Sequence, residues 1–539
     1  LKSANRNPCA PHRFHEVKFP NQIRHSLPYL YHLLALLFPI CGMTPAAGET
    51  TGPDKRRPNI LFYLTDDQSW LHTAAAGDPV LRTPGFDRVA REGVLFVNAF
   101  APAPSCAPMR ASLLTGRYPW QLREGALLFG GIPREFPLFT HALEAAGYQS
   151  AMASKGYWPG NMSDDAYHRN PLGKRYHIDL PEPHPEGIGN CDYAATFARF
   201  LKDRDTRRPF FFWMGTSEPH RIYQNGAGIA SGIDPAAIPL PGFLPDHPAV
   251  RSDLADYYHE IHHQDAHLAA ILDLLEAAGE LDHTLVVVTS DNGMPFPRAK
   301  ATLYDHGTRV PLAIRWGDRI PPGRTETRIV NLIDLAKTFL EVAGTEVPQG
   351  MAGHSLAKRL THTNPAASAQ PGDFTVTAME RHSLCRRGGI GYPMRALRTP
   401  EWLLVWNAEP DRWPAGDPPP FRPIFYQEYG DVDESPTKRF LIQNRDDPQV
   451  APHYRMAFGK RPEFELFHIP GDPDQLVNLA AEPEHAATLE TLRKRLNDFL
   501  KTTGDPRATA ANAPWDTLPF YLPGNPPERV TRQSHPFLY

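Results

Sequence analysis

Apolar residues fall in short, dense runs along the first two thirds of the chain. Asn59 to Leu64 (NILFYL), Gln149 to Ser154, Pro209 to Met214 (PFFFWM), Thr284 to Val288 (TLVVV) and Val310 to Ile314 read as strands. Continuous rather than alternating runs indicate strands covered on both faces, as in a parallel sheet. Between them the period lengthens. A helix opens at Thr83-Pro84 and closes at Gly93, and Pro137 to Ala146 is another, stopped by Gly147. Asp253 to Ala278 presents Leu268, Ile271, Leu272 and Leu275 on one face, and Asn331 to Ala343 ends at Gly344. Proline inside the start and glycine past the end are the expected boundary residues. Strands alternating with helices predict an α/β domain, a mostly parallel sheet sandwiched by helices.

Near residue 370 the pattern changes. Thr375 to Met379, Tyr392 to Leu397, Trp402 to Trp406 and Phe464 to Phe467 are short and separated by turn residues, which predicts a small antiparallel sheet. Pro483 to Thr503 then places Leu489, Leu492, Leu496 and Phe499 on one helical face. The expected organisation is a leader over 1–48, a catalytic domain over 56–370, a C-terminal subdomain over 371–504 and a Pro-rich tail over 505–539.

The leader reading rests on Lys2, Arg6, Arg13, Lys18 and Arg24, followed by the apolar run Leu27 to Ile40 and by Pro45-Ala46-Ala47-Gly48. That order is a basic, apolar and small-residue export pattern. The run is short for a membrane span, so no stable span is expected and the protein is placed outside the cytoplasm, secreted or periplasmic.

Composition changes the picture little. The 539 residues are 41% hydrophobic and 22% charged, with a net charge of −4, so the chain is globular and gives no electrostatic case for nucleic-acid binding. A polyanionic substrate would need a local basic site. Of the five cysteines, Cys9 and Cys41 fall in the leader, and Cys106, Cys191 and Cys385 remain. Cys191 and Cys385 can pair or stay free on this evidence.

The polar clusters Thr65-Asp66-Asp67-Gln68, Lys155-Gly156-Tyr157, Glu218-Pro219-His220-Arg221 and Thr289-Ser290-Asp291-Asn292-Gly293 each follow a strand, where α/β sheets gather their ligands. Asp66-Asp67 follows the first strand run and Asp291-Asn292 follows the TLVVV run. One acidic pair alone would be an ordinary turn. Two pairs of oxygen donors, each after a buried strand, suggest one hard-cation site suited to Ca²⁺ or Mg²⁺. The run Ser105-Cys106-Ala107-Pro108-Met109-Arg110-Ala111-Ser112-Leu113-Leu114-Thr115-Gly116-Arg117 puts Cys106 at a helix N-terminus, where free N–H groups favour negative charge, with Arg110 one turn on. A lone buried cysteine would be structural. Here it is part of Cys-x-Pro-x-Arg, four residues, then Thr-Gly-Arg.

That pattern resembles the signature of the type I, formylglycine-dependent sulfatases. Thr65-Asp66-Asp67-Gln68 and Thr289-Ser290-Asp291-Asn292-Gly293 are similar to the family's two metal-binding segments. Within the family the likeness is to the heparan N-sulfatase branch and its bacterial relatives. It is carried also by Glu218-Pro219-His220-Arg221, by Met294-Pro295-Phe296-Pro297 and by Tyr392-Pro393-Met394-Arg395. Met109 departs from the usual Ser or Thr of the signature.

The resemblance implies an alkaline-phosphatase-like fold and hydrolysis of a sulfated saccharide, with N-sulfoglucosamine of heparan-type glycans as the leading substrate. It implies that a maturation enzyme converts Cys106 to formylglycine, whose hydrate attacks sulfur. Asp66, Asp67, Cys106, Asp291 and Asn292 would surround the ion, normally Ca²⁺. Arg110 would hold the hydrate, Lys155 and Lys300 the sulfate, and His220 would protonate the leaving group, a role suited to imidazole. Tyr157 stands where the family usually has histidine, and is a poor base near neutrality. Tyr157, Arg221, Glu380, Arg381, His382 and Arg395 are candidate substrate contacts. A phosphodiester or phosphonate monoester hydrolase, and an inactive glycan-binding homologue, are the alternative readings.

Overall fold

The computed structural model describes residues 56–160, 170–182, 184–361, 373–421, 428–509 and 513–518, with two short strand segments at Phe520–Leu522 and Glu528–Val530. The expected leader and its apolar run lie outside the described residues.

The main sheet is built from β1 (Asn59–Thr65), β2 (Val94–Phe100), β3 (Gln149–Ser154), β4 (Lys174–Tyr176), β5 (Phe210–Gly215), β6 (Thr284–Ser290), β7 (Arg309–Arg315), β8 (Arg324–Glu326) and the two-residue β9 (Val330–Asn331). Its order is β4-β3-β5-β1-β6-β7-β2-β8, with β9 also on β2. The pairs from β4 to β6 are parallel, whereas β7 runs antiparallel to both β6 and β2. β1 and β6 are wholly buried at the centre, which is why their sequences are apolar without alternation.

The pleat sends alternate β1 side chains to two cores. Ile60, Phe62 and Leu64 pack with α2 (Cys106–Thr115), α3 (Phe139–Ala145) and, further along the chain, residues Leu335 and Phe339 of the helix Asp334–Val342. Leu61 and Tyr63 face Val89 of α1 (Pro84–Arg91), Phe197 of the helix Tyr193–Asp203 and Leu268 to Leu275 of the helix Pro248–Ala277. In chain order, the helices beyond α3 named here are α4 (Tyr193–Asp203), α5 (Pro248–Ala277) and α6 (Asp334–Val342).

A second sheet has the antiparallel order β10 (Thr375–Met379), β11 (Met394–Arg398), β12 (Trp402–Asn407) and β13 (Phe464–His468). Between β12 and β13 come α7 (Pro436–Gln443) and α8 (Ala451–Phe458), and α9 (Ala486–Thr502) packs Leu492, Leu496 and Leu500 on the sheet. Packing continues past α9. Asp505 and Trp515 are buried, and the Trp515 Nε1–H donates to the carbonyl of Arg123 at 3.0 Å.

Some expectations shift. α5 begins at Pro248, five positions before the expected start at Asp253, with His247 as its N-cap. The strand Val94–Phe100, which begins directly after Gly93, and the helix Tyr193–Asp203, capped by the Asp192 side chain on the Ala195 N–H at 2.8 Å, were not among the expected elements. Cys191 and Cys385 are both free and buried, so the possible pair does not form.

Candidate active site

Thr65 and Ser290 are register partners at the ends of neighbouring parallel strands. The residues that follow each strand are therefore delivered side by side. Asp66, Asp67 and Asp291 bring carboxylate oxygens within 4.8 Å of one another, all buried. The turn after β1 is tight: Asp67 adopts φ 70°, unusual for a residue with a side chain. Its N–H donates to Asp291 Oδ1 at 3.1 Å. The Asn292 amide donates from Nδ2 to Asp67 Oδ1 at 2.7 Å and to the Gly293 carbonyl. Its Oδ1 is buried and has no hydrogen-bond donor among the described residues. Gly293 is required because a Cβ there would lie 1.8 Å from the His306 carbonyl oxygen.

Cys106 is the first residue of α2 and is 2% exposed. Gly116 closes the helix at φ 61°, as its position in the motif predicts. Cys106 Sγ lies 3.5 Å from Asp66 Oδ1. One turn on, Arg110 is fully buried and donates from Nε and Nη2 to Asp291 Oδ2 at 2.9 and 2.8 Å. Its Nη1 donates to the carbonyls of Lys155 and Gly156. Arg110 thus ties α2, the β6 end and the β3 end into one unit.

Two lysines reach the acids. Lys155, just past β3, pairs with Asp66. Lys300 donates to Asp67 Oδ2 at 2.7 Å and to Asp433 Oδ2 at 3.0 Å. His220 follows β5, with Nδ1 2.6 Å from the Arg221 carbonyl and Nε2 3.8 Å from Asp67 Oδ2. The carbonyl can only accept, so Nδ1 carries the proton and Nε2 is the free nitrogen. His382 Nδ1 lies 2.8 Å from Ser105 Oγ, immediately before the cysteine. A cavity of about 320 Å³ opens over Cys106, Lys155, His220, Lys300, His382 and Asp433.

The electrostatics ask for a cation. Burial raises Asp67 and Asp291 above the carboxylate range, and neighbouring Asp66 raises them further. Burial also acts on Asp66, but Lys155, His220, Arg110 and Lys300 outweigh it and hold that carboxyl low. Among the described residues, the permanently charged partners of the three clustered acids and Asp433 are Lys155, Lys300 and Arg110, with His220 beside Asp67. A divalent ion would relieve that excess and give the orphan Asn292 oxygen a partner, and oxygen donors of this kind suit Ca²⁺ or Mg²⁺. The residues therefore fit the ion that the sequence leads one to expect. The Cys106 thiol is pushed well above its ordinary value, by burial first, and as a thiol it would be a poor nucleophile.

Cys106, Arg110, Lys155, His220, Lys300, Asp66, Asp67, Asp291, Asn292 and His382 are thus brought together. Other candidate contacts are not. Tyr157 is a core residue whose hydroxyl donates to the Gly130 carbonyl, because the chain turns inward directly after Lys155. Glu380 and Arg395 are buried partners at 2.6 Å, and Arg395 also pairs with Asp505. Arg381 donates to the Gly389 and Leu518 carbonyls. These three hold the second sheet and the following chain together and do not line the cavity. Arg221 borders a neighbouring cleft, but its guanidinium is clamped on Asp253 at 2.7 and 2.9 Å. Asp433 and Trp158, both on the cavity wall, were missed from the sequence. Asp433 follows no strand, so only folding brings it to Lys300. Trp158 sits two residues past Gly156 and could have been noticed as an aromatic beside a candidate lysine.

Comparison with known proteins agrees with this geometry. The Sulfatase family profile matches residues 58–345. Human N-sulphoglucosamine sulphohydrolase is 29% identical over 491 residues, covering 84% of this chain and 92% of its own length. An ulvan-active sulfatase of Formosa agariphila is 25% identical, covering 85% and 78%. A solved protein in complex with its substrate D-glucosamine-2-N,6-O-disulfate superposes with a TM-score of 0.59 at 20% identity, covering 84% of this chain and all of the other. A phosphonate monoester hydrolase from Silicibacter pomeroyi superposes equally well, at 0.59 and 19% identity over 84% and 97%. That breadth of chemistry shows that these superpositions establish the fold, which is alkaline-phosphatase-like, and the profile over the strands, acids and cysteine just described establishes the rest: the chain belongs to the sulfatase family.

Proposed function

We propose that the protein removes sulfate from a sulfated saccharide, with N-sulfoglucosamine as the leading substrate, through a formylglycine made from Cys106. The observation that carries this reading is the placement of Cys106 at a helix N-terminus, against three clustered carboxylates and under two lysines. The saccharide assignment is supported by the relatives, and the N-sulfate assignment by the human relative named for it.

Asp66, Asp67, Asp291 and the Asn292 oxygen would hold a divalent ion, which supplies Lewis-acid stabilisation of sulfate oxygens and of the nucleophile. A formylglycine at position 106 supplies an oxygen nucleophile that a thiol does not. Arg110 orients Asp291 and the start of α2. Lys155 and Lys300 project ammonium groups toward the same cavity, positioned to bind non-bridging oxygens as charge builds on them. His220 presents Nε2 to the cavity. Burial, with Lys300, pushes its pKa down to about 4, so it enters neutral. A bound sulfate ester would add negative charge beside it and favour the protonated form that donates to the leaving atom. The reading includes a maturation enzyme as a partner and export, on the leader pattern.

Peptide mass spectrometry of residue 106, in protein from a host that converts a control sulfatase, tests the core of the proposal. The aldehyde or its hydrate is expected, with sulfate release from N-sulfoglucosamine abolished in Cys106→Ala. An unmodified thiol overturns it. Faster turnover of phosphonate monoesters than of any sulfate ester would assign the alternative activity.

A further inference from the structure

A second cleft, of about 410 Å³, adjoins the cavity over Cys106 and shares Lys155, Trp158 and His220 with it. Those three residues form the wall between the two spaces. The second cleft is also lined by Arg175 on the edge strand β4, by His177, Asn190 and Ser217, and by two carboxylates that already have partners, Asp66 with Lys155 and Glu218 with the Tyr193 hydroxyl and the Gly189 N–H.

Two observations give this cleft a purpose. First, Arg175 is exposed and has no acidic partner among the described residues, in contrast to Lys155, Lys300, Arg110 and Arg221, each of which is held by a carboxylate. Asp179, the next acid along the chain from the strand, is occupied by His177 Nε2 at 2.9 Å and by Asn190 Nδ2 at 3.1 Å. Second, Trp158 is 59% exposed, far more than a tryptophan needs to be, and its ring stands 5.7 Å from the Lys155 ammonium. An aromatic face at the lip of a charged cavity suits the C–H face of a sugar ring, which buries apolar surface while its hydroxyls stay wet.

We propose that this cleft is a second anion subsite: Arg175 receives a further sulfate or carboxylate of the saccharide, and Trp158 supports the sugar face between the subsite and the scissile group. A guanidinium binds either anion through two parallel N–H donors. The proposal rests on the saccharide-sulfatase reading, and makes the protein selective for substrates with more than one negative charge.

The test uses the full chain, matured at Cys106 and loaded with Ca²⁺. Three saccharides share one scissile sulfate. One has no other charge, one a second sulfate, and one a uronate carboxylate on the adjoining residue; 4-nitrophenyl sulfate is the non-saccharide control. Wild type is expected to favour at least one dianionic saccharide by about tenfold in kcat/KM, the size of one charge-assisted hydrogen bond, and the favoured one identifies the anion. Arg175→Gln should erase that ratio through KM, Arg175→Lys should restore part of it, and Trp158→Ala should raise KM for all three saccharides. A wild type that cleaves all three without preference overturns the subsite and leaves the function standing. Equal losses on every substrate in Arg175→Gln also overturn it, as a structural effect. Cleavage of 4-nitrophenyl sulfate with no saccharide turned over overturns the subsite and the saccharide reading together.

Discussion

At the scale of single residues, Lys300 shows how one side chain serves several partners. It bridges Asp67 and Asp433 and faces the cavity over Cys106. Lys300→Ala is expected to lower kcat by about 10²–10³-fold, the usual loss when one preorganised charge donor is removed, as read by steady-state sulfate release. Asp433→Asn, which only loosens Lys300, should cost less. A residue outside the site makes a different prediction. Glu260 on α5 is buried, its Oε2 has no hydrogen-bond partner among the described residues, and burial followed by the Glu218 charge pushes its pKa up to about 9. A raised acid pKa means the folded state holds the proton more tightly than the unfolded state. Its stabilising contribution is therefore complete below the unfolded value, near 4.3, and is lost as pH rises toward about 9. Glu260→Gln should flatten the fall in stability over that window and raise stability at pH 8, measured by urea denaturation.

At the scale of elements, the site is a junction between strand ends and the start of α2. β1 and β6 set the spacing of the acids through their register, and Arg110 locks the helix to them. Because Arg110 and Asp291 are fully buried, removing the guanidinium leaves an unpaired buried carboxylate. Arg110→Ala should destabilise the protein by about 3–5 kcal/mol in chemical denaturation. Lysine would not replace it, since a single ammonium cannot reach both Asp291 and the two carbonyls past β3. The strand elements were legible because central parallel strands are continuously apolar. Val94–Phe100 was harder to see. Its buried and half-buried positions mix, and Asn98 interrupts it.

At the scale of the whole molecule, a buried ion network joins the second sheet to the chain beyond α9. Arg395 pairs with Glu380 and Asp505, and Arg507 pairs with Glu380. Arg395→Ala should lower stability by about 3–5 kcal/mol while leaving KM for the saccharide unchanged. A raised KM in a stably folded variant would restore Arg395 as a substrate contact. Ion binding also acts on the whole fold, since anything that binds only the native state stabilises it. Chelation should lower the melting temperature, with recovery on adding Ca²⁺ in excess of the chelator.

The sequence by itself determined five strands of the main sheet, the small antiparallel sheet, several of the helices and most of the site. Asp66-Asp67 and Asp291-Asn292 are adjacent along the chain, each after a strand, and Cys106 and Arg110 share one helical turn. Local order places each pair at a strand end, and the β1–β6 register brings the two ends together. Tertiary structure decided what lies around them. Asp433 and His382 arrive from distant stretches, while Tyr157, Glu380, Arg381 and Arg395 turn to partners inside the protein. A polar side chain's destination depends on which partner packing offers it, and long-range packing leaves no periodic trace in the chain.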